Sequence, residues 1–234
     1  KKKTLILREA NVISEYDYTK LTPIECERLQ TVPDNYTNHV SDTQRYKMLG
    51  NGWTVDVIAY IFKHMKTNTM NILSLFDGMS CGQIALDRLG IKVDNYFASE
   101  IDKYAIQVTK ANYPNTKHLG SVVDVNAADL PKIDLLIGGS PCQSFSFAGK
   151  MKGMTTKCNQ EILTLEDYLK LKNDGFEFQG QSYLFWEYMR LLKECNPTYF
   201  LLENVVMAKK WKNVLSQTIG IDPIMINSSL LSAQ

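Results

Sequence analysis

The sequence predicts an α/β fold in which a mostly parallel sheet is covered by helices on both faces. Three observations predict it. From residue 70 onward, short apolar runs alternate with stretches of helical pattern. Several of those runs stop at glycines or at a glutamate. A polar joint, Lys63-His64-Met65-Lys66-Thr67-Asn68-Thr69, precedes the first run and divides the chain into two pieces, 1–69 and 70–234.

After the joint, Asn71 to Phe76 reads as a buried strand. Gly78 to Gly82 make a turn, and Gln83 to Leu89 form a short helix closed by Gly90. Val93 to Ala98 is a second strand, followed by a helix to about Asn112, ahead of Pro114. Ile133 to Ile137 is a third strand, ending at Gly138-Gly139. Tyr183 to Lys193 is amphipathic and helical, and Tyr199 to Leu202 is a strand that ends at Glu203. Ile224-Met225-Ile226 reads as one more strand. Before the joint, Pro23 to Leu29 is a helix with Thr22 as N-cap, and Val55 to Phe62 is apolar enough to pack as a helix on the sheet. The charges between Lys152 and Gln181 suggest a solvated excursion, an insertion rather than a lid.

Composition narrows the class. The 234 residues suit one domain with a small appendage. With 26 basic and 25 acidic side chains the net charge is +1, so nucleic-acid binding would rest on a local basic patch rather than on overall charge. The five cysteines are scattered and form no C-x-x-C pair, which argues against a disulfide framework and a structural zinc site and favours a reducing cytosol. No apolar run is long enough to span a bilayer, and no signal peptide is visible. The expectation is therefore no membrane and no metal.

Three strand ends carry chemistry, and in a parallel sheet ligands bind beyond those ends. Phe76-Asp77-Gly78-Met79-Ser80-Cys81-Gly82 lets backbone approach a ligand at a helix start, and Glu100, past the next strand, is placed to accept from ribose hydroxyls. The pattern is not G-x-G-x-x-G, so a dinucleotide is not the first expectation; a glycine turn with a surface acid is the competing one. Gly138-Gly139-Ser140-Pro141-Cys142-Gln143 presents a thiol on a loop poor in apolar cover, which favours a nucleophile over a buried structural cysteine. Leu201-Leu202-Glu203-Asn204-Val205 ends a strand with a carboxylate that can protonate or hold a ring nitrogen; an N-cap or exposed acid is the alternative.

Phe76-Asp77-Gly78, Pro141-Cys142-Gln143 and Glu203-Asn204-Val205, in this order, resemble the hallmarks of DNA cytosine-5 methyltransferases of phage and bacterial type. Leu21 to Pro33 resembles the family's penultimate motif and Tyr46 to Val55 its last, and Trp53 resembles the animal de novo enzymes. The resemblance implies a Rossmann-like, S-adenosylmethionine-dependent methyltransferase fold. It implies a cofactor pocket formed by Phe76, Asp77, Gly78, Cys81, Gly82, Glu100, Ile101, Ser121, Val122 and Leu184, completed by Asn51 and Trp53. Glu100 would hold the ribose and Ile101 would lie against adenine. Cys142, carried by Pro141, would attack carbon 6 of cytosine, and Glu203, with Asn204 beside it, would hold the ring nitrogen. The base would first be flipped out of double-stranded DNA.

Two departures from the family pattern stand out. Ser121 stands where the family usually has an acid that contacts the adenine amine; Asp124 is a candidate substitute. The family's last two motifs also come first, a circularly permuted order, and the sequence from Asn227 to Gln234 resembles the start of the motif that precedes the target-recognition domain. The implied partners are double-stranded DNA and a second polypeptide carrying that domain, in the cytoplasm of a bacterial or phage-infected cell, in the setting of DNA methylation and restriction-modification. A non-catalytic accessory subunit and a tRNA cytosine-5 methyltransferase remain open alternatives.

Overall fold

The computed structural model describes residues 3–9, 12–18, 20–66, 69–141 and 154–228, with side chains from residue 20 onward. Its centre is a five-stranded, all-parallel sheet built from β3 (Thr69–Leu75), β4 (Lys92–Ser99), β5 (Lys117–Gly120), β6 (Leu135–Gly139) and β9 (Tyr199–Glu203) in the spatial order β5-β4-β3-β6-β9. Along β3, Met70 and Ile72 enter one buried cluster while Leu73 and Leu75 enter another. This is the period of two expected of a strand covered on both sides. The first cluster is closed by α3 (Val55–Phe62) and α4 (Cys81–Arg88), the second by α7 (Phe185–Cys195) and α8 (Lys209–Ile219). The sheet is doubly wound, as expected. A separate antiparallel pair, β1 (Lys3–Glu9) with β2 (Val12–Tyr18), precedes it.

The N-terminal segment is held together by a buried acid. Helix α1 (Pro23–Leu29) begins as the sequence predicts, with a capping box between Thr22 and Glu25. Glu27, fully buried, accepts backbone N–H bonds from Asn35 (2.7 Å) and Thr37 (2.9 Å) and pairs with Arg45 (3.3 Å) on α2 (Asp42–Asn51). A buried carboxylate persists only when so satisfied. Gln30 then ties this segment to the next: its side chain donates to the Leu49 carbonyl and accepts from the Thr54 hydroxyl, each at 2.9 Å. Helix α3, which follows, packs on α4 against the sheet.

The structure corrects three expectations. Ile224-Met225-Ile226 is not a strand; it is irregular and exposed, at 85%, 75% and 50%. An apolar run becomes a strand only beside a ladder partner, and β9 ends the described sheet. The third strand starts at Leu135 rather than Ile133 and runs through Gly138 and Gly139. A Cβ at Gly138 would lie 2.9 Å from the Leu75 carbonyl and 3.2 Å from the Tyr188 ring, so this glycine serves close packing inside the sheet. Between 154 and 181 the chain is no solvated excursion. It forms a small hairpin, β7 (Thr155–Thr156) with β8 (Phe178–Gln179), and α6 (Leu165–Asn173). Leu165, Tyr168 and Leu171, at helical spacing, face inward, while Lys157 pairs with Glu177 on the outside. Glu187 on α7 anchors this piece: fully buried, it accepts from Tyr168 (2.5 Å), Lys172 (2.6 Å) and Arg190 (2.7 Å).

Candidate functional site

The turn after β3 has backbone that most side chains avoid. Phe76, Gly78 and Ser80 take φ values of 56°, 57° and 64°. Only at glycine is this conformation free of steric cost. The surroundings hold it. The Asp77 N–H donates to the Ser99 carbonyl at 3.1 Å, and the Gly78 N–H donates to Glu100 Oε2 at 2.8 Å. The other Glu100 oxygen accepts from the N–H groups of Ile101 (2.7 Å) and Asp102 (2.8 Å). Asp102 in turn caps α5 (Lys103–Asn112) and pairs with Lys47 of α2 at 2.8 Å. The predicted Phe76, Gly78 and Glu100 are thus brought together, and α2 is fastened beside them.

Other predicted residues divide between the cleft and the interior. Ile101 is 71% exposed, an apolar face open to a flat ring. Ser121 precedes a short 3-10 turn (Val122–Asp124) and makes no capping bond, leaving its hydroxyl available. Leu184 is half-buried at the start of α7. Val122, by contrast, is buried, and its carbonyl accepts from Arg190 at 3.3 Å. Cys81 is buried, and burial pushes its thiol up to about 12. At Gly82 a Cβ would lie 2.5 Å from Ile137 and 2.9 Å from the Tyr96 hydroxyl, so this glycine lets α4 close onto the sheet. The Asp77 carboxylate also points inward, accepting from Tyr96 Oη at 2.8 Å and from the Ser80 hydroxyl.

The N-terminal segment reaches both ends of this site. A Cβ at Gly52 would lie 2.9 Å from Met79 and 3.4 Å from Cys81 Sγ. Tyr36, buried, donates to the Met79 carbonyl at 2.7 Å. Asn51, the last residue of α2, is exposed beside them in sequence. Trp53 extends to the other end, its indole N–H donating to Glu203 Oε2 at 3.4 Å.

That other end is set by strand register. Gly139 pairs with Glu203 across β6 and β9. Neighbouring strands lie about 5 Å apart, so the Glu203 backbone sits beside Gly139, two residues before Pro141 in sequence. A Cβ at Gly139 would lie 3.0 Å from Glu203 Oε2 and 3.2 Å from Trp53 Nε1; glycine leaves the room both occupy. Asn204 donates from Nδ2 to the Ser140 hydroxyl at 3.0 Å and accepts the Val205 N–H at 2.8 Å, bracing the loop from the opposite strand. Glu203 is exposed as a residue, yet its carboxyl end lies against Gly139 and Trp53; desolvation there pushes the carboxyl up, opposed by the Trp53 bond. Pro141 is half-buried, and Cys142 lies outside the described residues.

These groups leave room for a ligand that carries hydroxyls and a flat ring. A Cβ at Gly78 would meet nothing within 4 Å, so a ligand has room to approach that backbone. Glu100 supplies carboxylate oxygens past the strand end, Ile101 an open apolar face and Ser121 a hydroxyl. The roles of Ser80, Tyr96 and Thr109 beneath the turn were not read from the sequence, because a hydroxyl's buried partner leaves no mark in a local pattern.

A family profile described as C-5 cytosine-specific DNA methylase matches residues 1–67 and 70–219, so the match breaks at the polar joint. The orphan methyltransferase M.Rho11sI of Bacillus phage rho11s is 37% identical over 138 residues, covering 58% of this chain and 23% of that protein. Type II methyltransferase M1.ScrFI of Lactococcus lactis subsp. cremoris is 36% identical over 144 residues, covering 62% of this chain and 31% of its own. DNA (cytosine-5)-methyltransferase DRM2 of Oryza sativa subsp. japonica is 31% identical over 193 residues, covering 76% of this chain and 29% of its own. The chain thus spans 23 to 31% of the length of these relatives.

Proposed function

The chain belongs to the C-5 cytosine-specific DNA methylase family, and on that premise we propose that it carries the catalytic core of a DNA cytosine-5 methyltransferase using S-adenosylmethionine. One observation carries the reading: the Gly139–Glu203 register sets a carboxylate with a raised pKa beside Gly139, three residues before Cys142 in sequence. Trp53 touches that carboxylate, and Gly52 next to it in sequence packs against Met79 and Cys81 of the turn.

In this mechanism Phe76, Gly78, Glu100, Ile101 and Ser121, with Asn51 and Trp53, hold the cofactor. S-adenosylmethionine supplies, when bound, the electrophilic methyl group. The Cys142 thiolate attacks carbon 6 of a cytosine flipped out of duplex DNA, forming a carbon–sulfur bond. Glu203 holds the ring nitrogen and offsets the charge that this attack pushes onto the ring. After methylation, carbon 5 gives its proton to a base such as water; that electron pair restores the carbon 5–carbon 6 double bond, the carbon–sulfur bond breaks, and Cys142 leaves as the thiolate. Asn204 keeps the loop in register through Ser140. Cys81, Gly82, Val122 and Asp77 shape the pocket from behind rather than touch the ligand.

Residues 1–69 act here as the family's C-terminal motifs, placed first in a permuted order and docked onto the core formed by 70–234. The contacts of Tyr36, Gly52 and Trp53 with residues 79–81 and 203 support that reading. The partners in this reading are double-stranded DNA and a second polypeptide that contributes base-edge readout, which gives sequence specificity.

The test is trapping on duplex DNA containing 5-fluorocytosine in the presence of cofactor, with and without a candidate recognition polypeptide. A covalent adduct that forms with the parent chain and is lost in Cys142→Ser is expected. An adduct that survives the substitution rules out Cys142 as nucleophile.

A further inference from the structure

Beneath the turn at residues 76–80 lies a hydroxyl network with one carboxylate at its centre. Asp77 accepts from Tyr96 Oη at 2.8 Å on β4 and from the Ser80 hydroxyl. Ser80 is itself fully buried and accepts from Thr109 Oγ1 and Gln83 Nε2, each at 3.2 Å. Gln83 continues to Thr116 at 2.9 Å. Asp77, just past β3, is thus the common acceptor that ties this turn to β4 and, through Ser80, to helices α4 and α5. It stands between two left-handed non-glycine residues, Phe76 and Ser80, whose conformations persist only where surroundings over-determine them.

We infer that Asp77 is a positioning residue: its carboxylate, by accepting the Tyr96 and Ser80 hydroxyls, holds the turn in the shape that receives the cofactor, and protonation of Asp77 releases it. This rests on the cofactor site proposed above. A protonated Asp77 must donate to one of the hydroxyls that now donate to it, which turns a convergent set of bonds into a competing one. The titratable groups that face it are Tyr96 on β4, Cys81 on α4, Glu100 after β4 and Tyr36 from the N-terminal segment; none is a cation. Burial, the largest cause, raises the Asp77 carboxyl to about 6, so the proton returns under mildly acidic conditions.

The experiment measures binding of S-adenosylhomocysteine by calorimetry from pH 5 to pH 8, which needs neither DNA nor turnover. If the competent fraction is the deprotonated one, affinity at pH 5 is roughly tenfold weaker than at pH 7.5. Asp77→Asn, which cannot ionise, should bind at least roughly tenfold more weakly than the parent at pH 7.5, with a flat profile. Tyr96→Phe removes one donor to the carboxylate, so its loss of affinity should begin at higher pH. Glu100→Gln should weaken binding at every pH yet keep the acid-side loss. A flat parent profile, or an Asp77→Asn profile that still falls on acidification, overturns the role of Asp77 and leaves the cofactor site standing. Absence of binding at any pH overturns both. The folding equilibrium supplies an opposite sign. The folded chain keeps this proton up to about 6, whereas the ordinary carboxyl value is 3.8, so this group's contribution to stability falls as pH rises across that window. Asp77→Asn should remove that fall.

Discussion

Glu100 and Glu203 both stand at the carboxyl ends of parallel strands in one sheet, and their surroundings differ. Glu100 accepts three backbone N–H groups, from Gly78, Ile101 and Asp102, at 2.7 to 2.8 Å. Backbone donors cannot swing away, so this carboxylate is a fixed acceptor whose oxygens still have lone pairs for a ligand. Among the described residues Glu203 has one partner, the Trp53 indole, at 3.4 Å, and desolvation raises its pKa. A carboxyl so placed can hold or release a proton. On the function proposed above, the same residue type at the same kind of position would be a binding group in one place and an acid–base group in the other.

The largest test of this contrast is Glu203→Gln. If Glu203 serves the chemistry, turnover should fall by about 10²- to 10⁴-fold while cofactor affinity stays unchanged. Equal losses in turnover and cofactor binding would erase the distinction drawn between the two acids. Glu100→Ala should do the reverse, weakening S-adenosylhomocysteine by about 1–3 kcal/mol through lost hydrogen bonds to the ligand and a loosened Gly78. Gly139→Ala is smaller still. Its Cβ would lie 3.0 Å from Glu203 and 3.2 Å from Trp53, a crowding that both can relieve by a few tenths of an ångström. Turnover should fall about tenfold from the misplaced carboxylate, with folding retained.

The two regions also differ in how far the sequence discloses them. The strand ends were legible because Phe76-Asp77-Gly78, Pro141-Cys142-Gln143 and Glu203-Asn204 each break an apolar run in a way that sheets use for ligands. The capping box at Thr22 was legible because its rule is local. What stayed hidden depends on distant partners. Helix α2 went unread because Asp42 to Asn51 has little apolar periodicity and ends in Gly50-Asn51; tertiary contacts such as Glu27–Arg45 and Lys47–Asp102 hold it. The stretch from 154 to 181 was read by its charges, although Leu165, Tyr168 and Leu171 already carried the helical spacing. Its deciding feature, the buried Glu187, shows nothing in sequence of the Lys172 and Arg190 that satisfy it. Ile224-Met225-Ile226 failed in the opposite direction: its apolar character was visible, but the strand partner it needed was absent from the described sheet.

The smallest expected effect is the sharpest on the comparison, because Trp53 touches the acid that titrates and leaves the fixed one alone. Its indole N–H stabilises the charged form of Glu203 and so opposes the desolvation that raises its pKa. Trp53→Phe keeps a ring in the space over Gly139 but removes the donor. The Glu203 pKa should therefore rise further, and its protonated form should persist to higher pH. If the protonated carboxyl is the working form, turnover falls as pH rises through the Glu203 pKa, and in the variant that falling limb moves to higher pH. A single long hydrogen bond contributes about 0.5–1.5 kcal/mol, so the change in turnover at fixed pH should stay within roughly two- to tenfold. The indole also has only one N–H, which cannot serve Glu203 and the cofactor's carboxylate at once. A pH profile displaced with cofactor affinity intact places the donor on Glu203 during turnover. An unmoved profile with weakened cofactor binding places it on the cofactor, and the link between the two ends of the cleft then runs through Gly139 and the Trp53 ring alone.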